Sequence, residues 1–225
     1  MKYRVDCDPF PVLLIDLDDG ESIMCQRGGM SWMSTNLRLQ TTTGGFDKAI
    51  SKMLTRESMF QNIYTSVGGS GEIAFGTTQP GMILPIQISA TNSIVAQKSS
   101  YMASELGVEL SLFFQKRIRA GFFGGEGFIM QKFTGHGMLF IEIDGSVVEY
   151  TLAQGESKLV NTGSLAAMEA SCSISIESVK GIGNKLFSGE GFFHTRVSGP
   201  GKIWLQTMPI NVLARAISAH SVGTN

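Results

Sequence analysis

Apolar and polar residues alternate along much of this chain. Val108, Leu110 and Leu112 are separated by Glu109 and Ser111, and Cys172, Ile174 and Ile176 by Ser173 and Ser175. A period of two is what a half-buried strand requires, because successive side chains point to opposite faces. Leu139, Ile141 and Ile143 run into Glu142 and Asp144 in the same way. The pair Asp144-Gly145 then predicts a hairpin leading to Val147, Val148 and Tyr150. Further turn pairs follow at short intervals: Gly44-Gly45, Gly68-Gly69, Pro80-Gly81, Gly124-Gly125 and Pro200-Gly201. Many short strands punctuated by glycine predict an all-β barrel or sandwich. Helical spacing is confined to Phe46 to Leu54, where Ile50, Met53 and Leu54 share a face, and to a short C-terminal helix over Ile210 to Ile217.

The chain also repeats itself. Gly125-Glu126-Gly127-Phe128 recurs as Gly189-Glu190-Gly191-Phe192, and Gly135-His136-Gly137 as Gly199-Pro200-Gly201; 189−125 and 199−135 both equal 64. At the same offset Ser93 matches Ser157, Glu105 matches Glu169, Lys116 matches Lys180 and Ile118 matches Ile182. A third copy opens the chain: Leu17-Asp18-Asp19-Gly20-Glu21-Ser22 reads against Leu152-Ala153-Gln154-Gly155-Glu156-Ser157, while Ile23 and Gln26 meet Ile94 and Gln97. A common spacing over such a distance marks duplicated structural units. We therefore expect one fused domain over residues 1–225, built of three β-sandwich or double-stranded β-helix-like units over about 12–81, 82–146 and 147–208, with a tail over 209–225.

Repetition explains most of the glycines. Gly-x-Gly before a strand permits a left-handed turn or a close approach of two backbones. Gly20, Gly125, Gly127, Gly135, Gly137, Gly155, Gly189, Gly191, Gly199 and Gly201 are read as structural on these grounds, together with Phe128 and Phe192. The repeated carboxylates Glu126 and Glu190 either cap backbone donors at unit boundaries or point into a cleft, while Glu21 and Glu156 are read as part of the structural repeat motif.

Composition agrees with a compact protein: 225 residues, 43% hydrophobic and 16% charged, are enough for a sizeable core. A net charge of −1 supplies no global attraction to nucleic acid or anionic lipid. The run Val12 to Ile15 is too short for a signal-peptide core or a membrane span, so a cytoplasmic location is expected. Cys7, Cys25 and Cys172 lack paired spacing and read as buried or half-buried thiols.

Catalytic motifs are absent from the sequence. Gly201-Lys202 is followed by Ile203 and lacks the preceding glycine of a phosphate loop; Gly125-x-Gly127 opens no strand-helix unit; no Gly-x-Ser-x-Gly elbow occurs. His136, His194 and His220 stand apart, so neither a metal nor another cofactor is expected. One segment concentrates cations and aromatics: Phe113-Phe114-Gln115-Lys116-Arg117-Ile118-Arg119-Ala120-Gly121-Phe122-Phe123. Such a mixture either docks on anionic headgroups or single-stranded nucleic acid, or packs its rings inward while the cations reach solvent. Lys48, Lys116 and Lys180 recur between copies and, with Arg117 and Arg119, are the candidate surface-binding residues. Trp32 and Trp204 read as packing anchors.

Leu17-x-x-Gly20-Glu21-Ser22, Gly28-Gly29-Met30-x-Trp32-Met33, the Gly-Glu-Gly-Phe and Gly-x-Gly strand starts, and Gly199-Pro200-Gly201-Lys202-Ile203-Trp204-Leu205-Gln206 together resemble the altered inheritance of mitochondria protein twenty-four family, over about Pro11 to Thr207. Arg56-Glu57-Ser58-Met59-Phe60 departs from the glycine pattern of the other copies. The resemblance implies three tandem β units similar to the subunit of the tryptophan RNA-binding attenuation protein, set about a pseudo-threefold axis. Bacterial members are largely of unknown function, and mitochondrial relatives are associated with inner-membrane organisation. No catalytic residues come with it. The resulting expectation is a non-enzymatic scaffold or interaction protein that binds protein partners or itself, with an anionic membrane surface as a further partner and nucleic acid not expected. The rival expectation is a small-ligand or nucleic-acid module using crevices between units, its ligand left open by the residues.

Overall fold

A computed structural model describes residues 1–41, 61–116, 127–178 and 193–221. The described chain is mostly β-strand, arranged in several sheets, with one short C-terminal helix. The first third holds β1 (Lys2–Asp6), β2 (Val12–Leu17), β3 (Ser22–Gln26), β4 (Trp32–Met33), β5 (Leu37–Thr41), β6 (Gln61–Ser66) and β7 (Gly71–Gly76). The middle holds β8 (Gly81–Ile88), β9 (Ile94–Gln97), β10 (Tyr101–Glu105), β11 (Val108–Lys116), β12 (Phe128–Gly135) and β13 (Gly137–Asp144). The last third holds β14 (Val147–Leu152), β15 (Ser157–Asn161), β16 (Leu165–Glu169), β17 (Ser173–Ser178), β18 (Phe193–Ser198) and β19 (Gly201–Gln206), then α1 (Ile210–Ser221). The helix expected at Ile210 to Ile217 is thus present and longer; the one expected at Phe46 to Leu54 falls outside the described residues.

Neighbouring thirds share sheets. One six-stranded sheet runs β5-β6-β3-β10-β13-β8, and the other runs β11-β12-β9-β16-β19-β14. Each therefore joins three strands of one third to three of the next. The first splice pairs β3 with β10, setting Cys25 against Ala103 and Met24 against Ser104. The second pairs β9 with β16, setting Ala96 against Ala167 and Val95 against Met168. A four-stranded sheet, β1-β2-β7-β4, and a three-stranded one, β15-β18-β17, complete the described strands. A register irregularity between Tyr101 and Ala103 in β10 recurs between Leu165 and Ala167 in β16. Bulges of this kind re-aim a strand, here beside each splice.

Facing sheets bury the strands' apolar sides. Phe75, Phe128, Phe133 and Phe140 are essentially inaccessible, each contributing about 1.5–3 kcal/mol by removal from water. One cluster combines Met24 and Ile63 with Ile94, Leu110, Phe133, Leu139, Ile141 and Ala167, so residues of all three thirds meet in it.

The Asp144-Gly145 turn is not a hairpin. β13 pairs with β8 and β10, whereas β14 pairs with β19, so the turn carries the chain out of one sheet into the other. Gly145 does adopt the left-handed conformation, φ +77°, that its position in the turn demands. Met208 donates its N–H to the Asp144 carbonyl at 3.0 Å and Ile210 donates to the Asp144 carboxylate at 2.9 Å, tying the turn to the start of α1. Two-residue turn chemistry reports a reversal of direction; which strand lies alongside is decided by distant residues.

Three other expectations change. Leu112 shares the parity of the buried Val108 and Leu110, yet is 50% exposed, because β11 there runs past the core just before a bulge between Leu112 and Phe114. Trp32 is 53% exposed, since β4 is an edge strand of two residues. Cys25 and Cys172 are buried, but Cys7 is exposed, in the turn that follows β1.

Candidate functional site

Beside the first splice the two six-stranded sheets leave a cleft of about 370 Å³. Gln26 ends β3 and Arg27 follows it, Gln61 starts β6, Lys98 opens the turn before β10 and Tyr101 begins β10, Leu112 and Gln115 come from β11, and Ile129 and Gln131 from β12. Two cations and four carboxamides meet there, and among the described residues no carboxylate lines the wall. The buried Tyr101 hydroxyl donates toward the Met24 carbonyl at 3.3 Å and lies 3.1 Å from Ser104 Oγ. Burial pushes that phenol far above its ordinary range, so it stays neutral and serves as a fixed donor. Gln61 is 6% exposed, and its Oε1 has no hydrogen-bond partner among the described residues. A buried acceptor left unmade costs about 1–3 kcal/mol, so the position is chemically unusual.

The second splice carries side-chain bonds that the first lacks among the described residues. There Gln97 donates its Nε2 to the Gly163 carbonyl at 3.1 Å and also to the Leu165 carbonyl, and Gln206 Nε2 reaches the Gly163 carbonyl at 2.8 Å. Gln26 ends β3 as Gln97 ends β9, yet among the described residues no bond joins its carboxamide to the carbonyls of Ser99 or Tyr101. Opposite Gln97 stands Met130, fully buried in an apolar cluster; opposite Gln26 stands Gln61.

The repeated carboxylates have local partners. Glu21 Oε2 accepts the Asp18 N–H at 2.9 Å, and Glu156 Oε2 accepts the Ala153 N–H at 3.0 Å. Glu105 and Glu169 accept N–H groups from Met138 at 2.7 Å and Lys202 at 3.0 Å. These bonds cross the Gly-x-Gly turns, where a Cβ on Gly135 would lie 2.2 Å from the Gly107 carbonyl oxygen and one on Gly137 2.8 Å from Glu105 Oε2. Gly20, Gly155 and Gly199 occupy turns between strands, Gly201 begins β19, and Phe128 is buried against Phe114. Gly127 immediately precedes β12; Gly125, Glu126, Gly189, Glu190, Gly191 and Phe192 lie outside the described residues.

Of the candidate surface-binding residues, Lys116 ends β11, while Lys48, Arg117, Arg119 and Lys180 lie outside the described residues. His136 sits in its glycine turn and His194 in β18, opposite Asn161 and Glu177. Among the described residues no group of three His, Cys, Asp or Glu is placed to hold a metal ion. Burial pushes the Cys25 thiol up to about 12, which suppresses the nucleophilic thiolate. A second cleft, lined by Lys2, Asp16, Asp18, Ser34, Ser70, Gly71 and Glu72, has Arg4 pairing with Glu72 at 2.9 Å close by. The sequence matches Gln26 to Gln97 but gives no sign of the cleft; that Gln61 stands where the middle third has Met130 follows only from the strand pairing.

Fold and cleft define a class: an all-β protein of spliced sheets, whose described cavities carry polar side chains without a metal cluster. The crystal structure of protein SPYM3_0169 from Streptococcus pyogenes has this fold, with a TM-score of 0.78 and 23% identity over 97% of this chain and 99% of that one. The family described as Mitochondrial biogenesis AIM24 matches residues 3–208, and the chain belongs to it. An uncharacterized protein of Streptococcus pyogenes serotype M6 is 24% identical over 98% of this chain and 91% of its own length. Among the described residues no helix is long and apolar enough to cross a membrane.

Proposed function

We propose that this chain is a non-enzymatic β-scaffold that acts by holding a protein partner, or a second copy of itself, at its open sheet edges. The observation that carries the reading is the contrast between spliced and unspliced edges. Among the described strands, β10 and β16 have neighbours on both sides, whereas β4 pairs with β7 alone; β9 is flanked on both sides, whereas β15 pairs with β18 alone. At the 64- and 71-residue spacings, Trp32 corresponds to Ala103 and Ala167, both fully buried, and Leu159 to Val95 and Met24, also buried. Trp32 and Leu159 themselves are 53% and 52% exposed. Exposed strand edges bearing apolar side chains recruit further strands. Three tandem units about a pseudo-threefold axis would leave these two edges as the sites not consumed by internal splicing.

Peripheral membrane association is the lesser variant, supported by Ile210, Val212 and Ile217 exposed on α1. Capture of partners from the native cell, sedimentation equilibrium and liposome co-sedimentation test these variants together. Leu159→Lys with Trp32→Lys should abolish the protein association; association unchanged by both would overturn the reading.

A second reading, a small-ligand module in the crevice between units, is favoured by one observation: the unpartnered oxygen of buried Gln61 in the cleft wall.

A further inference from the structure

We infer that the occupant of both open edges is a second copy of this chain, joined head to tail: β15 of one copy pairs antiparallel with β4 of the next, in the register of the internal splices. The inference deepens the edge reading proposed above and rests on it, naming the partner.

The two smaller sheets are complementary halves. Each six-stranded sheet joins a half that ends on β3 or β9, namely β5-β6-β3 or β11-β12-β9, to a half that begins on β10 or β16, namely β10-β13-β8 or β16-β19-β14. The sheet β17-β18-β15 is a half of the first kind, and β4-β7-β2, with β1 added outside, is a half of the second kind. Among the described strands neither has a complement, and each is what the other lacks. Trp32 and Leu159 remain 53% and 52% exposed, so the chain does not seal the two edges on each other.

Register follows from the splices already made. Within its own half, Trp32 stands where Ala103 and Ala167 stand, and Leu159 stands where Met24 and Val95 stand. The first splice sets Ala103 opposite Cys25 and Ser104 opposite Met24; the second sets Ala167 opposite Ala96 and Met168 opposite Val95. The same register sets Trp32 opposite Val160 of the second copy and Met33 opposite its Leu159. Sheet register is specified by which side chains are buried, and these two exposed apolar residues are the ones whose counterparts are buried at both splices.

The β4 edge keeps the local construction of a splice. Ser34 Oγ accepts the Glu72 N–H at 3.0 Å, in the position where Glu105 accepts from Met138 and Glu169 from Lys202. One bulky ring has changed strand: Trp32 pairs with Ala74, whereas Ala103 pairs with Phe140 and Ala167 with Trp204. Each cross-strand pair thus still combines one aromatic with one alanine, and cores tolerate exchanges that conserve volume. Every copy presents one edge of each kind, so the contact is heterologous and continues until the series closes into a ring or ends on free edges.

The test uses the whole chain. Sedimentation equilibrium should show species larger than one chain. Trp32→Lys blocks one edge and Leu159→Lys the other, so each variant alone should sediment as a single chain with an unchanged thermal transition. Mixed in equal amounts, the two should recover a dimer and nothing larger, because each retains one intact edge of the opposite kind. In a Cys7→Ser background, Met33→Cys mixed with Leu159→Cys should give an oxidised dimer containing one of each, since directly opposed residues lie about 4.5–5.5 Å apart at Cα, which a disulfide spans. Failure to recover the dimer, a Leu159→Cys copy cross-linked to itself, or a doubly substituted chain that closes the disulfide internally would each overturn the head-to-tail contact. If the unmodified chain stays single at millimolar concentration while another protein captured from the cell is lost on Trp32→Lys, the second copy is the wrong occupant and the edge reading stands. If association of every kind is indifferent to both substitutions, both are overturned.

Discussion

Glu105 and Met138 are joined across the turn between two sheets: the carboxylate accepts the Met138 backbone N–H at 2.7 Å, immediately after the Gly-x-Gly turn. Glu169 repeats the contact with Lys202. Met138 and Lys202 already pair with Gln87 and Thr151 on one side, but the ladders to β10 and β16 on the other side stop at Leu139 and Ile203, and there the carboxylate accepts the N–H. Glu105→Ala should cost about 1–3 kcal/mol, seen as a lower urea midpoint at unchanged slope, whereas Glu105→Gln, which keeps an acceptor, should cost less. Equal losses for the two variants would remove the hydrogen bond from the explanation.

Two glycines with nearly the same backbone conformation should respond differently to alanine. Gly20 has φ +82°, and a Cβ added there would meet nothing within 4 Å, so only the left-handed penalty of roughly 1–2 kcal/mol applies. Gly135 has φ +89°, but its Cβ would sit 2.2 Å from the Gly107 carbonyl oxygen, a backbone atom that cannot rotate away. Gly135→Ala should therefore cost more than about 4 kcal/mol or prevent folding, while Gly20→Ala remains folded. Thermal melts of both variants decide the matter.

Stability should decline as the solution moves from mildly acidic toward neutral pH, through two buried acids. Burial raises both Glu142 and Asp144; Thr78 donates to Glu142 from its N–H at 2.6 Å and its hydroxyl at 2.9 Å, which only partly offsets the effect. Their folded pKa values lie above the unfolded ones of about 4, so between the two the native state holds more protons and stability falls as pH rises. Glu142→Gln keeps an oxygen for Thr78 and removes a charge close to Asp144. It should raise the melting temperature at neutral pH and flatten its pH dependence; an unchanged slope would show that other groups control it.

Alkylation under native conditions should modify one thiol. Cys7 is exposed, whereas Cys25 and Cys172 are buried and burial raises both thiols. Mass spectrometry after brief iodoacetamide treatment should place a single adduct on Cys7, with three adducts appearing only after unfolding. Labelling of Cys25 at the same rate as Cys7 would mean that the core around Ala103 opens readily.

Strand identity was legible in the sequence because alternation is a local property. Val108 and Leu110 turn inward as their spacing predicts, and Cys172 is buried. Pairing was not legible in the same way. Nothing near Asp144-Gly145 announces that the next strand will lie beside β19, some sixty residues further on; only the assembled sheets fix that. Offset matching pointed to shared roles for Glu105 and Glu169, yet the partner N–H groups become visible only once the turns fold over the carboxylates. The cleft was hidden for a related reason: Gln26 and Gln97 look equivalent in sequence, and their difference lies in the junction each faces.

Splicing also sets the order in which this protein can be completed during synthesis. β3 and β6 are finished by Ser66, but the strand that seals the other side of β3 ends only at Glu105. At roughly 5–20 residues per second, the nascent chain carries an unsealed β3 edge for several seconds. When β10 closes it, the chain has already made β9, whose own edge waits for β16. One edge is thus sealed as another is opened, and the nascent protein offers a holding chaperone a moving target until Glu169 has emerged.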